Sequence, residues 1–323
     1  MGTRLTEDMA YNEKIGALIA NLEKAVIGKK SAAELMVTAL LCGGHALIED
    51  VPGVGKTTLA MALSKSLGMD FRRIQFTPDV MPADLTGYTM YDINEKKYVY
   101  HPGLLFANVI LADEINRASP KTQSALLEAM QERQITVDGK SYRLPGQFFV
   151  LATQNPVDLT GTYPLPEAEL DRFFFKIRIG YPEKEDEVRL LKLHMTKNSL
   201  IGELPAVLTQ EELGRMQKAV CEVQVSDVIL QYIADMAAAT RAARDLALGV
   251  SPRGSLALMR AAQATAYVDG RGYVTPDDVR KMLPFVWNHR VLLKKEAIIA
   301  GKSAGAVIAA AAAGVAVPTF QTK

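Results

Sequence analysis

The stretch "ALIEDVPGVGKTTLA" (Ala46 to Ala60) decides the fold. A short apolar run meets a glycine-bearing turn, then a lysine and two threonines, then a helix-like run. Gly-x-x-x-x-Gly-Lys-Ser/Thr between a strand and a helix is the pattern of a phosphate-binding loop. Gly55-Lys56-Thr57 fits its second half, while Asp50 stands at the first glycine position. The strict pattern fails by one residue; the order strand, loop, helix does not. Backbone N–H groups of Gly53, Val54, Gly55, Lys56 and Thr57 would point at phosphate oxygens, with Thr58 next on the helix whose N-terminus adds positive potential. Lys56 would sit between the β- and γ-phosphates, and the Thr57 hydroxyl would ligate Mg²⁺.

A second segment strengthens the first. "VILADE" (Val109 to Glu114) is a buried strand ending in two carboxylates. Asp113 suits the magnesium-side role at a strand end. Glu114, expected on the opposite face of the pleat, could orient and deprotonate an attacking water. Together the two segments argue for ATP or GTP hydrolysis.

Working outward, "FRRIQF", "QFFVLATQN" and "RFFFKIRIG" are further apolar strands, and helix patterns separate them. Continuous apolar strands alternating with helices predict a parallel sheet covered on both faces. Thr3 to Ala25 and most of Val26 to Gly44 read as helices ahead of it, and Thr77 to Gly87 as a loop. Ser119-Pro120 is an N-cap followed by a proline at the first helical position. Two hairpins interrupt the core. One turns at Asn94 to Lys97; the other carries Asp138-Gly139, a type I′ signal. Beyond Tyr181-Pro182 the patterns are almost all helical, with a helix start at Ser251-Pro252 and a capping box at Thr275 to Asp278. The expectation is an α/β P-loop domain over residues 1–182, followed by an all-helical lid domain over residues 183–323.

Composition bounds the function. The chain has 323 residues, 49% apolar and 23% charged, with a formal net charge of +1. That is globular, with no overall pull toward nucleic acid or anionic membrane. Cys42 and Cys221 read as two reduced, buried thiols of a cytoplasmic protein, and the four scattered histidines make a zinc site unexpected. The N-terminus carries no signal-peptide pattern. The alanine-rich run Ser303 to Pro318 is too weakly apolar for a membrane span and reads as a last, packed helix.

The order of motifs resembles an AAA+ ATPase, specifically the MoxR family. The resemblance rests on "EDVPGVGKTTLA" (49–60), "RIQFTPDVMPADLTG" (73–87), "GLLFANVILADEINRASPKTQSALLEAMQE" (103–132), "VLATQNP" (150–156), "YPLPEAELDRF" (163–173) and "GVSPRGSLAL" (249–258). These stretches fall across most of residues 20 to 300. The central stretch is highly specific, and the family tolerates the aspartate in the loop.

The resemblance implies further roles. Asn155 resembles sensor 1, which holds the lytic water. Arg172 resembles the arginine finger that reaches a neighbour's nucleotide, with Arg117 and Arg133 as nearby alternatives. Arg253 resembles sensor 2, linking the γ-phosphate to the lid; a cation in a helix's first turn opposes the dipole, which a bound phosphate would offset. Val26-Ile27-Gly28 resembles the loop that contacts adenine, and Gln75 could restrain Glu114. The hairpins match the helix-2 and pre-sensor-1 insertions of this clade, with Lys96, Lys97, Lys140 and Arg143 as candidate client contacts. The family further implies ATP and Mg²⁺, a homo-oligomeric and most simply hexameric ring, and a chaperone-like remodeller of protein complexes. Its partners are often proteins with a von Willebrand factor A domain. The alternatives from other classes are a nucleic-acid motor, against which the net charge counts, and a slow nucleotide-gated scaffold.

Overall fold

Strand and helix alternate through the first half of the chain. The computed structural model describes residues 2–51, 53–155, 161–195 and 200–318. Pro52 and Pro156, each within a quoted motif, lie outside them. Helices α1 (Gly2–Ala25) and α2 (Lys30–Leu41) lead to strand β1 (Ala46–Glu49), α3 (Lys56–Ser66) and β2 (Phe71–Gln75). Next come α4 (Pro82–Thr86) and a hairpin, β3 (Gly87–Asp92) with β4 (Lys97–Pro102). Strand β5 (Val109–Asp113) runs through a 3-10 turn (Ile115–Arg117) into α5 (Pro120–Glu132). The second hairpin, β6 (Gln134–Val137) with β7 (Lys140–Arg143), precedes β8 (Phe149–Gln154), α6 (Glu167–Leu170) and β9 (Phe175–Ile177).

The sheet is parallel, in the order β2-β5-β8-β1-β9. Its three inner strands are buried on both faces, which is why they read as unbroken apolar runs. Alternation along each strand divides the core in two. Ala46, Ile48, Leu111 and Leu151 pack against α1, α2 and α3. Leu47, Ile110, Ala112 and Val150 pack against α5 and the second hairpin. Strand β2 carries Arg72 and Arg73 because it is an edge.

The expected caps are present: Ser119 Oγ accepts from the Thr122 N–H, and Asp138 and Gly139 take the two positive φ angles of a type I′ turn. The segment 77–87, expected to be loop, contains α4. Pro82 starts it and the Asp84 carboxylate accepts from the Met81 N–H at 2.8 Å, so its start signal was in the sequence.

The second half is built from α7 (Lys184–Met195), α8 (Gln210–Glu222), α9 (Asp227–Ala242), α10 (Pro252–Val268), α11 (Pro276–Trp287), α12 (Lys295–Ile299) and α13 (Ala304–Ala313). One short antiparallel pair, β10 (Leu246–Leu248) with β11 (Leu292–Leu293), adds strand to this helical region. The alanine-rich run is α13, seated on α9 and α11 through Val307 and Ile308. Among the described residues no helix is long and apolar enough to cross a membrane. Cys42 is partly buried, but Cys221 is exposed, against the expectation of two buried thiols. It lies one position past Val220, off the buried stripe of α8.

Candidate functional site

The carboxyl ends of β1, β5 and β8 lie side by side, and in open parallel sheets ligands bind at this edge. Between β1 and α3 the chain turns through Gly53 (φ +84°) and Gly55 (φ +89°), left-handed angles that glycine adopts without strain. A side chain at Gly53 would meet no atom within 4 Å, so the cradle is open. One at Gly55 would come 3.2 Å from Val26, which packs on the loop from behind. Gly28 lies against Asp186 of α7, so the turn 26–28 is set between the phosphate loop and the first helix of the second half.

Asp50 explains why the first glycine of the pattern is absent. Its Oδ2 accepts the N–H groups of Ile179 and Gly180, both at 2.6 Å, and its Oδ1 accepts that of Val51 at 2.9 Å. The buried carboxylate is therefore satisfied by amides and ties the start of the loop to the chain leaving β9. Lys56 Nζ donates to the Asp50 carbonyl at 2.6 Å. Partial burial pulls this ammonium below the ordinary lysine range, opposed by the charges of Asp113, Asp50 and Glu114. Lys56 and the two carboxylates of the second motif thus share one electrostatic neighbourhood.

A residue that the sequence did not single out organises those carboxylates. Thr153, buried in β8, donates its hydroxyl to Asp113 Oδ1 at 2.6 Å, and its own Oγ1 accepts the Glu114 N–H at 2.8 Å. A hydroxyl inside the apolar run "FVLATQ" was the available signal. The other oxygen of Asp113 accepts Arg73 Nη2 at 2.7 Å and Nε at 3.2 Å.

Two expectations need correction here. Glu114 does not continue the pleat: β5 ends at Asp113 and Glu114 turns out at φ +57°, ψ +49°, held by the Thr153 bond. Gln75 accepts from Arg73 at 3.0 Å, whereas the Glu114 carboxylate is met by Arg117 at 3.1 Å. Asn155 follows β8, one residue past the Glu49–Gln154 pair, so it stands at the same edge, beside the start of the loop.

Arg172 and Arg253 are not at this edge. They line an open cleft of about 440 Å³ with Gly43, Gly44 and His45, at the amino end of β1. Strand β1 has four residues, so about 13 Å of extended chain separates its two ends. Asp171 seats the pair. One of its carboxylate oxygens accepts the Ser251 hydroxyl at 3.2 Å and the other accepts Arg290 Nε at 2.6 Å. Ser251 also caps α10 by accepting the Gly254 N–H. The start of α10, with Arg253 in its first turn, is therefore docked beside Arg172. This corrects the expectation that Arg253 reaches the nucleotide of its own chain.

Arg133, one alternative to Arg172, caps the Gly43 carbonyl at 2.7 Å, and Arg117 is engaged with Glu114. Among the described residues, the guanidiniums of Arg172 and Arg253 have no hydrogen-bond or ion-pair partner.

A parallel sheet in this order, a glycine-bearing loop capping α3 beside paired strand-end carboxylates, and a helical second half define a P-loop ATPase of the AAA+ class. Comparison with known proteins agrees. The model of the ATPase family associated with various cellular activities (AAA) matches residues 45–175, and the AAA lid domain model matches residues 238–311. Chaperone MoxR1 of Mycobacterium tuberculosis is 39% identical over 87% of this chain and 76% of its own length. Protein MoxR of Paracoccus denitrificans is 33% identical over 85% and 87%. The uncharacterized protein YeaC of Bacillus subtilis is 48% identical over 96% and 98%. A crystal structure from Cytophaga hutchinsonii superposes with a TM-score of 0.91 at 35% identity, covering 98% of this chain and 99% of that one. The chain belongs to the MoxR family of AAA+ ATPases, enzymes that bind and hydrolyse ATP.

Proposed function

We propose that the protein is a Mg²⁺-dependent remodelling ATPase that works as a ring, most simply a hexamer, with each ATP held by one subunit and its cleavage completed by the next. The observation that carries this reading is the division of charge between the two ends of the sheet. Lys56 and the carboxylates lie at one end, and the unpartnered Arg172 and Arg253 lie at the other. A guanidinium at the amino end of β1 cannot serve the phosphate loop of its own chain, but it can serve a neighbour's.

The residues present fit the ligand. The open cradle at Gly53 and the amides through Val54, Gly55, Lys56, Thr57 and Thr58 suit a triphosphate. The Thr57 hydroxyl and the Asp113 carboxylate are hard oxygen donors of the kind Mg²⁺ takes, and the ion would neutralise charge on the β- and γ-phosphates. Val26, Ile27 and Gly28 would hold the base. Lys56 would exchange its bond to the Asp50 carbonyl for phosphate oxygens. Glu114 would orient the attacking water and accept its proton, released from Arg117 and steadied by Asn155. Arg172 and Arg253 of the adjacent subunit would meet the charge that develops on transfer.

The proposed units are an ATP-binding domain over residues 1–182 and a lid beyond it. Because Arg253 rides on the lid helix α10, loss of the γ-phosphate would free that helix relative to the neighbour. The name of the Mycobacterium relative, a chaperone, supports remodelling of protein complexes as the use of this motion. A cytoplasmic location and a client with a von Willebrand factor A domain belong to the same proposal. The test is ATP turnover per subunit across a dilution series, with mass measured at each point. Turnover should fall as the ring dissociates; constant turnover down to a demonstrated monomer would end the proposal. Capture on a Glu114→Gln form held with ATP would then identify the client.

A further inference from the structure

Beyond Arg172 and Arg253, a third arginine faces the same cleft. Arg260 lies on α10 seven residues after Arg253, two helical turns on, and so on the same side of the helix. Its Nη1 is shielded from solvent and has no hydrogen-bond partner among the described residues. A buried guanidinium N–H left unpaired is costly and calls for an explanation, such as a functional role, an ordered water or an ion.

Among the described residues, the rest of the cleft supplies no free counter-charge. Five arginines line it: Arg133, Arg172, Arg253, Arg260 and Arg290. They face one carboxylate, Asp171, which is already shared by Arg290 and Ser251. Arg133 is spent on the Gly43 and Gly146 carbonyls and Arg290 on Asp171 and the Phe173 carbonyl. His45 adds nothing negative: its imidazole is neutral, with Nε2 against the Met130 carbonyl and Nδ1 accepting the Val150 N–H. Among the described residues, three guanidiniums therefore stand uncompensated in one opening.

We infer that Arg260 is a nucleotide-binding residue acting across the subunit boundary, a third cation on the polyphosphate held by the adjacent copy of this chain. The occupant follows from charge. The opposite end of the sheet is where a polyphosphate sits, and the cleft presents the complementary sign in excess. This inference rests on the proposed division of each ATP site between two subunits. It goes beyond that proposal in assigning a binding role to a residue two turns inside the lid helix. A planar fork with several donors suits phosphate oxygens better than an ammonium does, so lysine should replace it only in part.

The experiment uses the full chain at concentrations where it is assembled and where it is dissociated. Arg260→Met keeps the aliphatic stem and removes the charge. In the assembled protein it should raise the KM for ATP by about 10-fold to 100-fold, the loss of a charge-assisted contact. Binding of a fluorescent ATP analogue to the dissociated subunit should match wild type. Mixing Arg260→Met with Lys56→Ala subunits should restore the KM, because the latter donate an intact cleft to nucleotide held by the former. Arg260→Lys should fall between, and it carries the test if the methionine variant does not fold.

An unchanged KM, or equal weakening of analogue binding in the dissociated subunit, overturns the inference. Arg172→Ala mixed with Lys56→Ala runs alongside. If that mixture recovers turnover and the Arg260→Met mixture does not recover its KM, the role of Arg260 falls and the shared site stands. If neither recovers, the shared site itself has failed.

Discussion

The two ends of the central sheet are built on opposite principles. At the carboxyl end the charged groups named above each have a partner among the described residues of their own chain. Asp113 is held by Thr153 and Arg73, Glu114 by Arg117, Lys56 by the Asp50 carbonyl, and Asp50 by three amides. At the amino end the buried Arg290 pairs with the half-buried Asp171, while among the described residues Arg172, Arg253 and Arg260 are left without a counter-charge. The first end satisfies its own charges within one chain. The second has the electrostatics of a half-site. Under the proposed function this contrast has one meaning: one subunit would bring the triphosphate and the water-activating acid, and its neighbour the positive charge.

That contrast can be broken most directly at Arg172. Arg172→Ala should lower turnover on the order of 10³-fold or more, as for other arginine fingers. Steady-state ATPase assays of the variant alone and mixed with Lys56→Ala check both the size and the direction of the effect, since a finger acting across the boundary predicts rescue. At the other end, Glu114→Gln should slow turnover by about 10³-fold while ATP binding persists, the range expected for a positioned general base. Near-normal single-turnover rates with this variant would remove Glu114 from that role.

A smaller effect would sharpen how the carboxyl end is organised. Thr153→Val removes the one hydroxyl that bonds both Asp113 and the Glu114 amide. Turnover should fall about 10-fold to 100-fold, with a raised requirement for Mg²⁺ in the assay, as for other residues that orient metal-side carboxylates. The orphaned Glu114 N–H should also cost about 1–3 kcal/mol of stability, read from denaturant unfolding.

A test of stability rather than turnover concerns the floor of the arginine cleft. Burial pushes His45 down to about 4, countered by its bond to the Met130 carbonyl and reinforced by Arg133. Protonation would place a hydrogen on Nδ1, where the Val150 N–H already points. Because the unfolded chain binds this proton more readily, the contribution is present above about pH 6.5 and is lost as pH falls toward 4. The shift corresponds to about 3 kcal/mol. A flat melting temperature between pH 6.5 and pH 4, once compared with His45→Asn, would show that the histidine carries no such burden.

Much of this was legible because local chemistry dictated it. Gly53 and Gly55 announce a turn that only glycine makes easily, Ser119, Ser251 and Thr275 announce helix starts, and the three inner strands read as apolar because both faces are covered. Lys56, Asp113 and Glu114 follow from residue type and spacing at strand ends. The lid strands β10 and β11 were not legible: they total five residues, and their pairing joins segments far apart in the chain.

What the sequence determined by itself is the machinery whose parts are neighbours along the chain: the loop, the strand-end acids, the caps and the order of strands and helices. Periodicity, steric freedom and side-chain chemistry act over a few residues and leave a direct mark there. Which distant groups meet was set by packing in three dimensions. Thr153 joins Asp113, Asp50 grips the end of β9, and Asp171 draws α10 to the amino end of the sheet. That last docking turns Arg253 away from its own phosphate loop, because hydrogen-bond and charge satisfaction in a packed interior depends on proximity in space, which no local pattern encodes.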